Sequence, residues 1–177
     1  IEGWSAAMDL WDEDTEGHSQ RVAKWAADFG ERLGLSEREI VKIRRGALLH
    51  DLGKMAVPES VLKKSGPLDE DEWALMKEHP KKSLEMLSKI PSLKDSLDIP
   101  LYHHEKYDGS GYPFGKRGEE IPLAARLFSI IDVFDALTSD RPYRRAWTRE
   151  RAIAYLKEQR GIQFDPHLVD VFVAMIE

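Results

Sequence analysis

Two histidines stand side by side, His103 and His104, in the stretch "LYHHEKYDGSGYP". Imidazoles bind metals and carry protons near neutral pH, and a helix face gains nothing from two in a row. Four other places in the 177 residues carry related chemistry. "ALLHDLGK" ends an apolar run in His50-Asp51, then Gly53-Lys54. An adjacent imidazole and carboxylate at a helix end can point at one cation, and two carboxylate oxygens can bridge two. Taken alone, the pair also fits an ordinary polar helix end. Asp14 and His18 in "DTEGH" are four apart and share a helix face, as two ligands of one ion or as a plain i,i+4 hydrogen bond. His79 ends another helix beside Pro80. Asp132 lies in the apolar run "FSIIDVFDAL", where a buried carboxylate is costly unless paired or bound to metal. Asp135 nearly shares its face, and spacing leaves open which of the two points inward.

Nitrogen and oxygen ligands without sulfur suit iron, manganese or zinc. Seven or eight ligands are too many for one ion. Neighbouring residues on a helix diverge by about 100°, so His103 and His104 are expected to serve different metals. Two metals roughly 3.5–4 Å apart, sharing a carboxylate and a water, form an arrangement that cleaves phosphate esters. The chain has no cysteine, which excludes disulfides and thiolate metal sites and fits a reducing compartment. A net charge of -6 argues against broad binding of DNA or RNA, though a local pocket can still hold a small anion. No apolar run spans a bilayer and no signal-peptide pattern occurs, so membrane contact is not expected of this sequence.

Nearly every segment reads as helix, which predicts one all-α domain of about seven to nine helices with the metal site among them. Ile1, Trp4, Met8 and Trp11 fall at heptad spacing. Residues 1–12 therefore read as a helix packed on its own domain, or as a linker and dimer seam continuing from an upstream region. Residues 13–177 form the domain proper. A second helix is expected over 15–33, stopped by Gly34, and a third opens at Ser36 with the capping box "SERE". "MAVPESVLKKSGPL" reads as loop with one short helical turn at most. "DEDE" caps a helix to His79, and Pro80 begins the next. One helix over 92–105 delivers the paired histidines, followed by a loop over 106–121. "PLAARLFSIIDVFDALTS", 149–160 and 166–176 complete the set, the last capped by Asp165 with Pro166 at its first position. Trp25, Trp73 and Trp147 read as packing, and His167 as structural or surface.

In the order "DTEGHSQRV", "HDLGK", "VLKKSGPL", "EHP", "HHEKYDGSGYP", "DVFDALTSDRPYR", these motifs resemble the HD-GYP family, a branch of the HD-domain metal-dependent phosphohydrolases, over about residues 12–170. The resemblance implies a phosphodiesterase that hydrolyses a cyclic dinucleotide, chiefly cyclic di-GMP, at a site of two or three divalent metals. Iron or manganese is expected, with zinc, magnesium, nickel or cobalt as other candidates. Implied ligands are His18, His50, Asp51, His79, His103, His104 and Asp132, with Asp51 as bridge and Asp14 on a third metal. Members with that metal usually carry glutamate at the Asp14 position, and proline is usual at Ser65. Lys54 resembles a lysine facing the scissile phosphate. Arg141 and Arg144 match residues near the ligand phosphates, the second usually lysine, and Gly111, Tyr112 and Pro113 are the GYP of the name. The family implies an output domain of a bacterial signalling protein; the heptad spacing of the first helix adds an expected homodimer and an upstream sensory domain, the absence of cysteine a cytoplasmic setting, and the glycine-rich 108–118 loop a docking surface for a partner such as a diguanylate cyclase domain. Alternatives are hydrolysis of another nucleotide, cyclic GMP-AMP included, and a binding or docking module of low activity.

Overall fold

The structure is a computed structural model that describes residues 1–11, 17–140 and 144–177. Among them are ten α-helices and no strand: α1 (Glu2–Trp11), α2 (His18–Arg32), α3 (Glu37–Leu48), α4 (Glu59–Leu62), α5 (Glu70–Met76), α6 (His79–Leu87), α7 (Asp98–Tyr102), α8 (Leu123–Thr138), α9 (Arg149–Glu158) and α10 (Pro166–Ile176). The count exceeds the expected seven to nine because α4 and α7 are single turns of four and five residues. Turns of 3-10 helix cover Leu52–Ala56, Pro91–Ser96 and Gly118–Glu120.

The capping chemistry read from the sequence sets several boundaries. Ser36 and Glu39 close a reciprocal capping box at α3, and Asp69 and Glu72 close another at α5. Asp165 accepts from the amides of His167 and Leu168 at the start of α10. Other segments differ from expectation. α2 starts at His18, after Gly17 in a left-handed conformation (φ 71°). The single helix expected over 92–105 is a 3-10 turn followed by the short α7. Pro100 has no N–H, and its ring would clash with the Ser96 carbonyl in a continuous helix. The chain restarts at Asp98, so Pro100 falls in a first turn where no donor is needed.

α2, α3, α7 and α8 pack around the centre, with α6 against the 52–56 turn and α9 and α10 closing the α2–α8 side. Phe29, Phe128, Leu127, Ile130 and Phe172 are fully buried there, and Trp25 packs edge-on to Phe134 and Phe172. Each large ring buried this way contributes roughly 2–3 kcal/mol of transfer free energy. In α1, Met8 points into the core while Trp4 and Trp11 stay exposed. Trp147 packs on Tyr155, His167 is exposed, and Trp73 lies outside the core on α5, a helix that buries no residue.

Candidate metal centre

The ends of α3, α7 and the start of α6 converge on the middle of α8 and the first residue of α2. His18, His50 and Asp132 bring one ligand atom each into a group within 4.8 Å of one another, and Asp51, His79, His103 and His104 form a second such group. His103 caps α7 with its backbone still helical and its amide bonded to the Ile99 carbonyl, and His104 follows in a turn. Their rings sit 4.0 Å apart and both belong to the second group, whereas the sequence led us to expect them at different metals.

The histidines are oriented from behind. Nδ1 of His50 donates to the Ala47 carbonyl at 2.8 Å, Nδ1 of His79 to Met76 at 2.8 Å, and Nδ1 of His103 to Ile99 at 2.9 Å. Each carbonyl is one turn back along its own chain, a product of placing the imidazole at a helix end. With the proton on Nδ1, the lone pair of Nε2 faces inward. His18 is held by a carboxylate instead, with Nδ1 2.7 Å from Asp135 Oδ2, and Arg21 fixes that carboxylate through Nε at 2.9 Å. Asp132 Oδ1 lies 3.3 Å from His18 Nε2. Asp132 thus faces the cluster, and Asp135 stands behind His18.

Asp51 joins the two groups. Its Oδ2 is 3.1 Å from His50 Nε2 and 2.9 Å from Lys54 Nζ, while its Oδ1 faces His79 Nε2 at 3.4 Å and His103 Nε2 at 3.6 Å. That Oδ1 is buried and accepts no hydrogen bond from the described residues, and His79 and His103 turn their Nε2 atoms towards each other at 3.4 Å. Opposed lone pairs around an orphaned carboxylate oxygen repel unless a cation lies among them. The donor set therefore fits divalent metal ions.

The electrostatics agree. Burial raises the Asp51 carboxyl, but His50 and Lys54 outweigh it and hold it well below the usual carboxylate range. Asp132 is lowered too, burial being overcome by His18 and His50. Burial pulls His79 down to about 4 against the pull of Asp51, and His104 is lowered well below its ordinary value by burial and by His103. His50 goes up, because Asp51 and Asp132 outweigh its burial. The carboxylates are thus charged, and His79 and His104 neutral, at pH 7.

Two glycines allow the close packing. A Cβ at Gly53 would run into the His79 carbonyl and meet Ser83 N at 2.6 Å. A Cβ at Gly111 would meet the His104 carbonyl at 2.5 Å. Gly111 so lets Tyr112 donate its amide to that carbonyl and stack on His104, with ring centroids 4.7 Å apart. Pro113 follows a cis peptide. Glu105, to which the sequence reading gave no role, is 3% exposed and accepts the amides of Phe114 at 2.8 Å and Lys116 at 3.0 Å. It clamps the loop that follows the paired histidines. A glutamate directly after the paired histidines and before two glycines was the available signal. Asp14 and Arg141 lie outside the described residues. Arg144 donates to the Ala136 carbonyl and lies 5.6 Å from the Trp147 ring.

A family model described as "HD domain" matches residues 7–168. The chain belongs to the HD domain family. Among curated relatives, the cyclic di-GMP phosphodiesterase response regulator RpfG of Xanthomonas campestris is 48% identical over 169 residues, covering 94% of this chain and 45% of that protein. The 3′3′-cGAMP-specific phosphodiesterase 2 of Vibrio cholerae is 40% identical, covering 94% of this chain and 32% of that protein. This HD domain thus spans less than half the length of these curated relatives. Among solved structures, a V. cholerae cyclic GMP-AMP phosphodiesterase (V-cGAP3) superposes with TM-score 0.77 at 20% identity, over 98% of this chain and 47% of that one, a likeness of fold.

Proposed function

We propose that this chain is the catalytic part of a metal-dependent phosphodiesterase that opens a cyclic dinucleotide, with cyclic di-GMP as principal substrate and the linear dinucleotide or GMP as product. The observation that carries the reading is Asp51, whose Oδ2 faces His50 of one candidate ligand group and whose Oδ1 faces His79 of the other. Similarity to a relative named for cyclic di-GMP hydrolysis supplies the substrate. His18, His50 and Asp132 would hold one ion, His79, His103 and His104 the other, and Asp51 both, with Asp14 on a third. Manganese or iron is the proposed occupant, since a nitrogen–oxygen set without sulfur accepts either. When bound, such ions lower the pKa of a water and neutralise charge on phosphoryl oxygens.

The chain's own groups have defined tasks in this reading. Asp51 and Asp132 stay ionised, and His79 and His104 keep lone pairs at working pH. Lys54, in contact with Asp51, brings a positive charge to the edge of the site. As water adds to phosphorus and the P–O3′ bond breaks, Lys54 would give its proton to the leaving 3′ oxygen, and the proton shed by the water would return the lysine to its charged form. Arg141 and Arg144 take the second phosphate, and Arg144 keeps donors beyond the one given to Ala136. Tyr112 holds His104 in place by stacking on it. The proposal includes a cytoplasmic setting, an upstream sensory domain, a diguanylate cyclase partner at the 108–118 loop, and a homodimer through α1, where Trp4 and Trp11 stand exposed. No helix among the described residues is long and apolar enough to cross a membrane.

The relative named for 3′3′-cGAMP favours a second reading, hydrolysis of cyclic GMP-AMP by the same site. Protein purified without oxygen, analysed for metal and assayed with cyclic di-GMP, 3′3′-cyclic GMP-AMP and guanosine tetraphosphate, separates the readings. Two or more ions per chain and fastest turnover of cyclic di-GMP are expected. Bound metal with no cleavage of any cyclic dinucleotide would refute the proposal.

A further inference from the structure

Beside the second ligand group, the structure has a feature that cutting a phosphodiester does not need. A cleft of about 580 Å³ runs between α5 and the loop after His104, lined by Glu70, Trp73, Lys77, Lys106, Gly111 and Tyr112 among others. Trp73 is 46% exposed on its wall. Lys77 Nζ lies 5.8 Å from the centre of the Tyr112 ring, and that ring is the one stacked on His104. Tyr112 therefore forms the partition between the metal centre and the cleft, and His79 meets it edge-on at 6.5 Å. A half-exposed tryptophan, two ammonium groups and an aromatic wall stacked on His104 match the chemistry of a nucleobase. Bases stack on aromatic side chains, and ammonium donors pair with the O6 and N7 acceptors of guanine. Adenine presents an amino donor where guanine has O6, which an ammonium does not satisfy.

We propose that the cleft between Trp73, Lys77 and Tyr112 is a guanine subsite, in which one base of the substrate stacks on Trp73 while Lys77 and Lys106 face its acceptor edge. This rests on the cyclic-dinucleotide reading above and assigns to Trp73 and Lys77 the selection of the base. It also explains why α5 keeps a tryptophan on a face that buries nothing.

The test compares cyclic di-GMP with bis(p-nitrophenyl) phosphate, a phosphodiester without a base, on the manganese-loaded protein. In Trp73→Ala and Lys77→Ala, the ratio of kcat/KM for cyclic di-GMP over the baseless diester is expected to fall about tenfold or more, mostly in KM. Trp73→Phe, which keeps a stacking face, is expected to retain most of the ratio and guards against a folding defect. GMP is expected to inhibit hydrolysis of the baseless diester more tightly than AMP in the wild type, and Lys77→Ala to erase that preference. An unchanged ratio in both alanine variants, with the wild type cleaving cyclic di-GMP, overturns the subsite alone. Equal inhibition by GMP and AMP in the wild type overturns its guanine assignment. A wild type that cleaves the baseless diester but no cyclic dinucleotide overturns the substrate reading and the subsite together.

Discussion

Replacing Glu105 with alanine is expected to release the loop that backs the metal centre. Its carboxylate accepts the amides of Phe114 and Lys116 at 2.8 and 3.0 Å in a buried position. A hydrogen bond to a charged acceptor contributes roughly 1.5–3 kcal/mol. Both amides lie in part-buried surroundings, so the low end applies, and the two together stabilise by about 3 kcal/mol. For a domain of this size each kcal/mol moves Tm by about 2–4 °C, so Glu105→Ala should lower it by about 6–12 °C. Glu105→Gln keeps one neutral acceptor oxygen and should lose about half as much. Thermal unfolding gives the magnitude, and amide exchange gives the place: Phe114 and Lys116 should lose protection while Ala47 and Ile131 keep theirs. If Glu105→Ala shifts Tm by less than about 2 °C with those two amides still protected, the clamp is not what holds the loop. The backbone bonds from Tyr112 to His104 and from Gly118 to Tyr107 would then suffice.

Further outcomes follow from the same geometry. Asp135→Asn removes the charge that orients His18 and should weaken manganese binding about 10- to 100-fold in calorimetric titration, with the fold intact by circular dichroism. Gly111→Ala places a methyl against the His104 carbonyl; it should destabilise by about 1–3 kcal/mol, the scale of an overpacked core, and a Tm equal to the wild type would contradict this. In the metal-free protein, His79 has a folded pKa of about 4, below the roughly 6.5 of an unfolded histidine. Its contribution is then complete above pH 6.5 and is lost as pH falls towards 4, about 3 kcal/mol at 1.36 kcal/mol per pH unit. His104 acts in the same direction and His50, whose pKa is raised, in the opposite one. Urea midpoints between pH 7 and pH 4 should fall on acidification, and a flat profile would contradict the assignment.

What the sequence made legible was whatever is decided locally. Both capping boxes and the Asp165–Pro166 start follow from contacts three residues apart or less, and they stand where the residues put them. The broken helix before His103 was readable in principle, because Pro100 cannot follow a helical Ser96 carbonyl, but helical periodicity hid it. Asp132 and Asp135 could not be told apart by spacing, since both point inward. His18 stands between them, so one carboxylate faces the cluster and the other the far nitrogen of the same ring. The grouping of His103 with His104 depends on the turn after α7, and the clamp by Glu105 depends on a loop folding back nine to eleven residues. Neither has a periodic signature. Trp73 has the composition of a core residue, and its exposure follows from the position of α5 on the outside of the fold.

The central claim is that Asp51 spans two metal ions that cleave a cyclic dinucleotide. Its most direct test is the turnover of cyclic di-GMP by manganese-loaded wild type, Asp51→Asn and Lys54→Ala, with metal content measured on the same samples. Asp51→Asn is expected to lose bound metal, and kcat to fall about 100-fold or more in both variants, the scale of removing one group that stabilises transition-state charge. Full turnover by both variants would contradict it.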